Sequence, residues 1–314
     1  MQLTGIHHLT AVTADAVGNH DFYTRVLGLR MVKKTVNQDD VSAYHLFYAD
    51  GKGAPGSDIT FFDWPASPAR HRRQSISRTS FRVPVSSLGW WADRLAAEGV
   101  ALKAVGERFG RQVLDFSDPE GQHLALTGDD PVSDDHVWSK SPIPAAHQII
   151  GLGPITLTLG ELSPTERVLT SVLNMRRIES LADADEAGAV THVFAMGEGG
   201  AAAELHLVIA PDLPFAVQGA GGVHHVAFRV PDEAYPAWAM RLEELGMPSS
   251  GPIDRFYFKS LYFREPGGVL FELATDGPGF AADEPLEHLG ESLSLPPFLE
   301  ERRAEIEAGL KPID

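Results

Sequence analysis

Residues 224–276 read HHVAFRVPDEAYPAWAMRLEELGMPSSGPIDRFYFKSLYFREPGGVLFELATD, and residues 79–129 read TSFRVPVSSLGWWADRLAAEGVALKAVGERFGRQVLDFSDPEGQHLALTGD. Both begin with a short apolar strand that ends in Phe-Arg-Val-Pro, at Phe81–Pro84 and Phe228–Pro231. An amphipathic helix follows in each, with Trp91 and Leu95 or Trp238 and Leu242 at helical spacing, and a glycine stops it. A hairpin then closes on Asp-Pro-Glu-Gly (118–121) or Glu-Pro-Gly-Gly (265–268). The two stretches are copies of one unit: strand, helix, three strands.

Two weaker copies fill the remaining chain. Residues 5–32, GIHHLTAVTADAVGNHDFYTRVLGLRMV, match residues 151–178, GLGPITLTLGELSPTERVLTSVLNMRRI, without a gap through the helix. The expected organisation is therefore α+β, with four βαβββ modules at about 4–64, 78–128, 150–211 and 221–276. In chain order these give an N-terminal domain (1–130), a Pro-rich linker (131–149), a C-terminal domain (150–276) and a tail (277–314). In such a module the helix covers one face of the sheet and leaves the other concave. Two modules side by side then make a half-open β-barrel around a cavity. The tail, with GPGFAADE directly after the fourth module, is open to two readings, a lid over the cavity or surface packing only.

Composition bounds the chemistry. The chain has 314 residues, 43% of them hydrophobic, and no apolar run long enough to span a bilayer. Met1 is not followed by a segment of signal-peptide type, so a soluble cytoplasmic protein is expected. A formal net charge of -17 argues against nucleic-acid and membrane partners. With no cysteine, any metal must be held by histidine and carboxylate.

The Gly-aliphatic-His-His pattern at Gly5 and again at Gly222 supplies candidates. Strand alternation puts His224, Val226, Phe228 and Val230 on one face and His225, Ala227 and Arg229 on the other. The uniformly apolar set should lie beneath the helix, so His225 looks into the barrel, and by analogy so does His8. His7 and His224 are then expected on the helix-facing side, either as packed neutral imidazoles or in support of a metal ligand. In the last strand Glu272 interrupts an apolar run and would be costly to bury unpaired. Two imidazoles and a carboxylate can occupy one triangular face of an octahedral ion and leave the opposite face open. Aligned positions in the second and third modules hold Arg78, Ala125 and Pro154, none of them a metal ligand. Modules one and four should therefore pair into the working barrel, and two and three into a structural one. His45, His71, His123, His192 and His206 are scattered and receive no role. Antiparallel pairing across the turn at 265–268 sets Glu272 opposite Leu261 or Tyr262. Arg255 reads equally well as a surface cation or as a charge beside the site.

Beyond these patterns, the whole chain resembles the ring-cleaving dioxygenases of the vicinal oxygen chelate superfamily, in particular the hydroquinone 1,2-dioxygenase branch. The carrying segments are GIHHLTAVT, FYTRVLGLRMVKKTVNQDD, YHLFYAD, GAPGSDITFF, GERFG, GVHHVAF and REPGGVLFE. The resemblance implies Fe(II), with Mn(II) as the alternative, held by His8, His225 and Glu272. It further implies that His7, Thr10, His224, Arg255 and Tyr262 act around the metal on a small aromatic substrate and O2, and a homo-oligomer is expected. Two other classes stay open. A glyoxalase-type isomerase or lyase needs a fourth side-chain ligand, for which the turn alignment offers Phe61, with Asp63 two residues on. A binder that sequesters aromatic compounds needs no metal.

Overall fold

In the computed structural model, which describes residues 1–130, 133–183, 185 and 188–313, the four modules are present, each with the expected element order. Pro131 and Val132 of the expected linker lie outside the described residues. The first module comprises β1 (Gly5–Thr13), α1 (Ala16–Asp21, continued by a wider helical turn, Phe22–Val26), β2 (Arg30–Asn37), β3 (Asp40–Ala49) and β4 (Asp58–Asp63). The second comprises β5 (Ser75–Val83), α2 (Leu88–Ala97), β6 (Gly106–Arg108), β7 (Arg111–Ser117) and β8 (His123–Gly128). The third runs through β9 (Gly151–Leu159), α3 (Ser163–Arg167, with a wider turn Val168–Val172), β10 (Arg176–Ala182), β11 (Val190–Ala195) and β12 (Glu204–Ile209). The fourth has β13 (Val223–Val230), α4 (Tyr235–Glu244), β14 (Ile253–Asp254), β15 (Lys259–Arg264) and β16 (Leu270–Thr275).

Two curled sheets of eight strands result. One has the order β14-β15-β16-β13-β1-β4-β3-β2 and joins modules four and one; the other, β10-β11-β12-β9-β5-β8-β7-β6, joins three and two. Each chain-order unit, 1–130 and 150–276, thus contributes half of each sheet, so the barrels follow the pairing that the metal argument required rather than the order of the chain. Within a module the first strand pairs parallel with the last, as β1 does with β4 and β13 with β16, and the modules meet through their first strands, antiparallel. Helix-side residues of both sheets make one core, in which Trp91 and Trp238, the matched anchors of α2 and α4, are fully buried. Burial of such a side chain supplies roughly 2–3 kcal/mol of hydrophobic stabilisation.

The seam between β1 and β13 departs from regular alternation twice. Ile6 pairs with Phe228 and His8 with Ala227, so His7 is skipped; Thr10 pairs with His225 and Ala11 with Val223, so His224 is skipped. Each strand therefore carries a β-bulge at the first histidine of its pair, a device that re-aims side chains beside functional sites. The glycine that opens each motif meets a steric need. A Cβ on Gly5 (φ +145°) would stand 3.0 Å from the Ala202 carbonyl, and one on Gly222 would stand 2.9 Å from the Gly219 carbonyl.

Residues after the fourth module, whose role the sequence left open, do more than cover surface. Phe280 and Leu289 join Val32, Phe47, Ala49, Ala227, Tyr257, Phe258 and Ala274 in a second apolar cluster on the concave side of the sheet. Further on, Ser294 donates its N–H to the Lys34 carbonyl, so the tail covers the open edge of β2. Leu295, Leu299 and Ile306, the last of these on α5 (Arg303–Gly309), pack on Val36.

Candidate metal centre

Adjacent inner strands bring three donors to one point. His8 Nε2 lies 3.1 Å from Glu272 Oε2, His225 Nε2 lies 2.9 Å from the same oxygen, and the two Nε2 atoms are 3.4 Å apart. All three residues are buried. For metal–ligand bonds of about 2.1 Å, neighbouring donors of an octahedron stand about 3 Å apart, so this triangle matches one face of a hexacoordinate ion. Among the described residues no other group of His, Asp or Glu gathers in this way.

Proton positions around the triangle follow from chemistry. His7 Nε2 is 3.0 Å from the Thr275 carbonyl oxygen, which can only accept, so the proton of the neutral ring sits on Nε2. His7 Nδ1 is then bare and accepts from His8 Nδ1–H across 2.9 Å, which leaves His8 Nε2 with a free lone pair turned toward Glu272. Burial, reinforced by the neighbouring His8, pushes His7 down to about 3 and keeps it neutral, so this tautomer persists through the physiological range. The second pair repeats the contact, His224 Nδ1 to His225 Nδ1 at 2.8 Å, and lets His225 present a bare Nε2 in the same way. Burial likewise brings His224 to about 3.

Glu272 tests whether a cation fits. Burial works to raise its carboxyl, but the adjoining His8 and His225 outweigh it and hold the group well below the usual carboxylate range. That lowering requires the two imidazoles to act on the carboxylate as donors or cations; with their protons on Nδ1 they offer it only lone pairs, so a bound cation must take that part for the fully buried carboxylate to be ionised. An uncompensated buried carboxylate with two bare nitrogens beside it is the donor set of a divalent metal, and the residues fit one.

The sequence-derived neighbours fall as follows. Tyr262 pairs directly across from Glu272, and its ring stands 5.6 Å from that of His225. Burial, with the Glu272 charge, raises its phenol above the ordinary value, so it stays protonated. The Arg255 guanidinium lies 5.5 Å from the Tyr262 ring centroid and is gripped by Asp39 with a two-pronged ion pair at 3.1 and 2.8 Å. Thr10 Oγ1 is 2.8 Å from Thr60 Oγ1. His7 and His224, expected beneath the helices, instead lie against the metal-facing imidazoles, with ring centroids 5.1 Å from His8 and His225 respectively; the two bulges release them from alternation.

Three further features were not read from the sequence. His45 lines the cleft with Thr35, Asp39, Phe47, Phe62, Tyr257 and Phe258 and is linked by Nε2 to Thr60 Oγ1 at 2.9 Å. The alternation Tyr44, Leu46, Tyr48 against His45, Phe47, Ala49 carried that signal. Tyr257 forms the back wall: its hydroxyl donates to Asp283 Oδ2 (2.8 Å), while the fully buried Lys33 ammonium stands 4.7 Å from its ring centroid and pairs with Asp283 and Glu284. The module-one counterpart of Glu272 needs correction. β16 sets Glu272 opposite Ala227, two residues after His225, and β4 sets Thr60 opposite Thr10, two residues after His8, so Thr60 and not Phe61 holds that place. Asp63 alternates with Thr60 and shares the opposite face with Phe61.

The other half-barrel holds a larger cavity, about 470 Å³ against about 50 Å³ for the metal cleft. Arg78 stands in the place of His225, and its guanidinium pairs with Asp115 at 3.3 Å and Asp185 at 2.7 Å. Asp115 in turn occupies the Tyr262 position, opposite Ala125. Ion pairs replace the metal donors there, so volume does not mark the chemical site.

The model of the Glyoxalase/Bleomycin resistance protein/Dioxygenase superfamily matches residues 5–126 and 151–273. MhqA of Bacillus subtilis (strain 168), provisionally named a ring-cleaving dioxygenase, is 48% identical over the full length of both chains. A chlorohydroquinone/hydroquinone 1,2-dioxygenase of Sphingobium indicum (strain DSM 16413 / CCM 7287 / MTCC 6362 / UT26 / NBRC 101211 / UT26S) is 32% identical over 95% of this chain and 93% of its own. The crystal structure of a provisionally named dioxygenase from Bacillus subtilis superimposes with a TM-score of 0.90 at 36% identity, covering 100% of this chain and 98% of that one.

Proposed function

Because the chain belongs to the glyoxalase/bleomycin resistance protein/dioxygenase superfamily, we propose that it is an Fe(II)-dependent ring-cleaving dioxygenase acting with O2 on a hydroquinone- or catechol-type aromatic. The observation that carries the proposal is the fully buried carboxylate of Glu272 converging with the Nε2 atoms of His8 and His225 at 3.1 and 2.9 Å. His8, His225 and Glu272 would hold the ion. When bound there, ferrous iron supplies open positions for a substrate oxygen and for O2 and a path for electrons between them.

This chain's own groups account for the remaining requirements. Tyr262, kept protonated by burial, is a hydrogen-bond donor at the level of Glu272. Arg255 places a fixed positive charge over that phenol and favours negative charge developing on a bound ring or on oxygen. His7 cannot accept a proton from substrate without giving up the Nδ1 lone pair that receives His8 Nδ1–H, so its work is to orient His8. His224 Nε2 has no hydrogen-bond partner among the described residues, which leaves its N–H, unlike that of His7, available to pass a proton onward. Phe47, Phe62 and Phe258 line the cleft with apolar surface suited to an aromatic ring.

The glyoxalase-type reading lacks its fourth ligand, since Thr60 stands where a second carboxylate is needed and is engaged with Thr10 and His45. Sequestration offers no reason to bury a glutamate between two imidazole nitrogens. Oxygen uptake by anaerobically purified, Fe(II)-loaded protein on a panel of hydroquinones and catechols tests the proposal. Uptake with a ring-opened product, abolished in His225→Ala and in Glu272→Ala, is the expected result. Stoichiometric iron without uptake on any compound refutes it.

A further inference from the structure

Among the described residues His45 is the one imidazole on the cleft wall outside the metal triangle. Its ring is wedged between Phe47 and Phe62, at centroid distances of 4.0 and 4.4 Å, so it cannot turn freely. One nitrogen is committed: Nε2 bonds Thr60 Oγ1 at 2.9 Å, and Thr60 Oγ1 bonds Thr10 Oγ1 at 2.8 Å. Thr10 pairs across the seam with His225, so this hydrogen-bonded row ties the orientation of His45 to the metal-holding strands. The other nitrogen, Nδ1, has no hydrogen-bond partner among the described residues.

We propose that His45 Nδ1 hydrogen-bonds the ring hydroxyl that the metal does not hold, making His45 a specificity-determining residue that favours dihydroxylated aromatics over monophenols. The inference rests on the reading of the site as that of a ring-cleaving dioxygenase. Two properties suit His45 to the task. Burial, together with the nearby His8, His225 and Arg255, holds it far below the ordinary imidazole value, so it meets the substrate as a neutral ring. Either hydroxyl of the Thr60–Thr10 pair can be the donor, so reversing the row switches Nδ1 between accepting from a hydroxyl and donating to an ionised one. A hydrogen-bonding nitrogen set in an aromatic wall also penalises a ligand that leaves it unpaired, which is how sites reject analogues lacking a hydroxyl.

Anaerobic calorimetry on the Fe(II)-loaded protein with 1,4-hydroquinone and with phenol tests this without turnover. The wild-type protein should bind hydroquinone about tenfold or more tightly than phenol. In His45→Phe the hydroquinone affinity should fall about tenfold toward that of phenol, with phenol changed by less than about twofold. His45→Asn keeps a polar atom near the Nδ1 position and should retain most of the discrimination. Thr60→Val frees the ring and should lose part of it. Equal losses for both ligands in His45→Phe, or none for either, overturn the proposal while leaving the dioxygenase reading intact. Failure of the wild type to bind either compound, together with absent oxygen uptake, overturns both. Should His45→Phe not fold by circular dichroism, His45→Asn and Thr60→Val decide: unchanged discrimination in Thr60→Val with complete loss in His45→Asn refutes the assigned geometry.

Discussion

Lys33→Met removes a charge that the fold has buried completely. The ammonium has 0% side-chain exposure, lies 2.7 Å from Asp283 Oδ1, contacts Glu284 and stands over the Tyr257 ring. Methionine keeps most of the stem but leaves two carboxylates facing each other without their cation. Deleting one partner of a fully buried pair costs about 3–5 kcal/mol. Asp283 and Glu284 retain 20% and 11% exposure, and water can relieve them in part, so about 2–3 kcal/mol is the expected cost. That loss should fall on the docking of the tail, raising the tail's opening equilibrium by about 30- to 150-fold. Hydrogen exchange of residues 280–296 and urea unfolding measure the two quantities directly. The triple variant Lys33→Met, Asp283→Leu, Glu284→Leu should recover most of the loss, because an apolar replacement for the whole cluster leaves no orphaned charge. Tyr257 loses its anchor when the tail opens, so the single variant should also raise KM more than it lowers kcat. A change below about 0.5 kcal/mol, with unaltered exchange in the tail, would show that the ion pair does not hold the strap and that the apolar contacts of Phe280 and Leu289 suffice.

On the proposed role of Tyr262 as a proton donor and not a ligand, Tyr262→Phe should lower kcat by about 10²-fold or more while leaving metal affinity unchanged; equal kcat on the same substrate refutes that role. Asp39→Ala should loosen the Arg255 side of the cleft. Because the Asp39–Arg255 ion pair lines the mouth of the cleft, faster substrate association in stopped flow is expected for this variant, and an unchanged rate refutes that role. Metal-stripped protein should lose stability on acidification. His7 has a folded value of about 3 against 6.5 when free, so the unfolded chain binds the extra proton between those limits and unfolding becomes easier as pH falls below 6.5. The contribution is about 1.4 kcal/mol per pH unit, and His7→Phe should flatten the urea-midpoint profile by about that slope.

Module boundaries were legible because the second and fourth repeats carry their own punctuation, Phe-Arg-Val-Pro before a helix, a glycine after it and a Pro- and Gly-containing turn before the last strand, and because the first and third match each other without a gap through the helix. Pairing of the modules was legible too, but only through chemistry. Nothing in the spacing said that module one joins module four; the complementary supply of His8 with His225 and Glu272, against Arg78, Ala125 and Pro154 elsewhere, did. Strand alternation identified the inner histidines and failed on their neighbours for a local reason. A parity argument assumes one residue per rung, and the seam of β1 and β13 skips a rung at His7 and again at His224. The same skip is what the site needs. Without it each first histidine would lie under a helix, its Nδ1 could not reach the ligand imidazole, and no chain of hydrogen bonds from the Thr275 carbonyl would fix the proton of His8 on the side away from the metal. His45 escaped notice for the opposite reason. Its strand alternates regularly, but the partner that gives it meaning, Thr60, lies fifteen residues away and is recognisable only once β4 is set beside β1 and Thr60 is seen in the place of a second glutamate. The exchange of carboxylate for threonine at that position is therefore the feature on which the choice between isomerase and oxygenase chemistry turns. Restoring the carboxylate in Thr60→Glu should crowd the open coordination positions, remove the support of His45 and abolish oxygen uptake while the protein still binds a divalent ion. Retained uptake in that variant would mean that the open face lies elsewhere than the Thr60 side of the triangle.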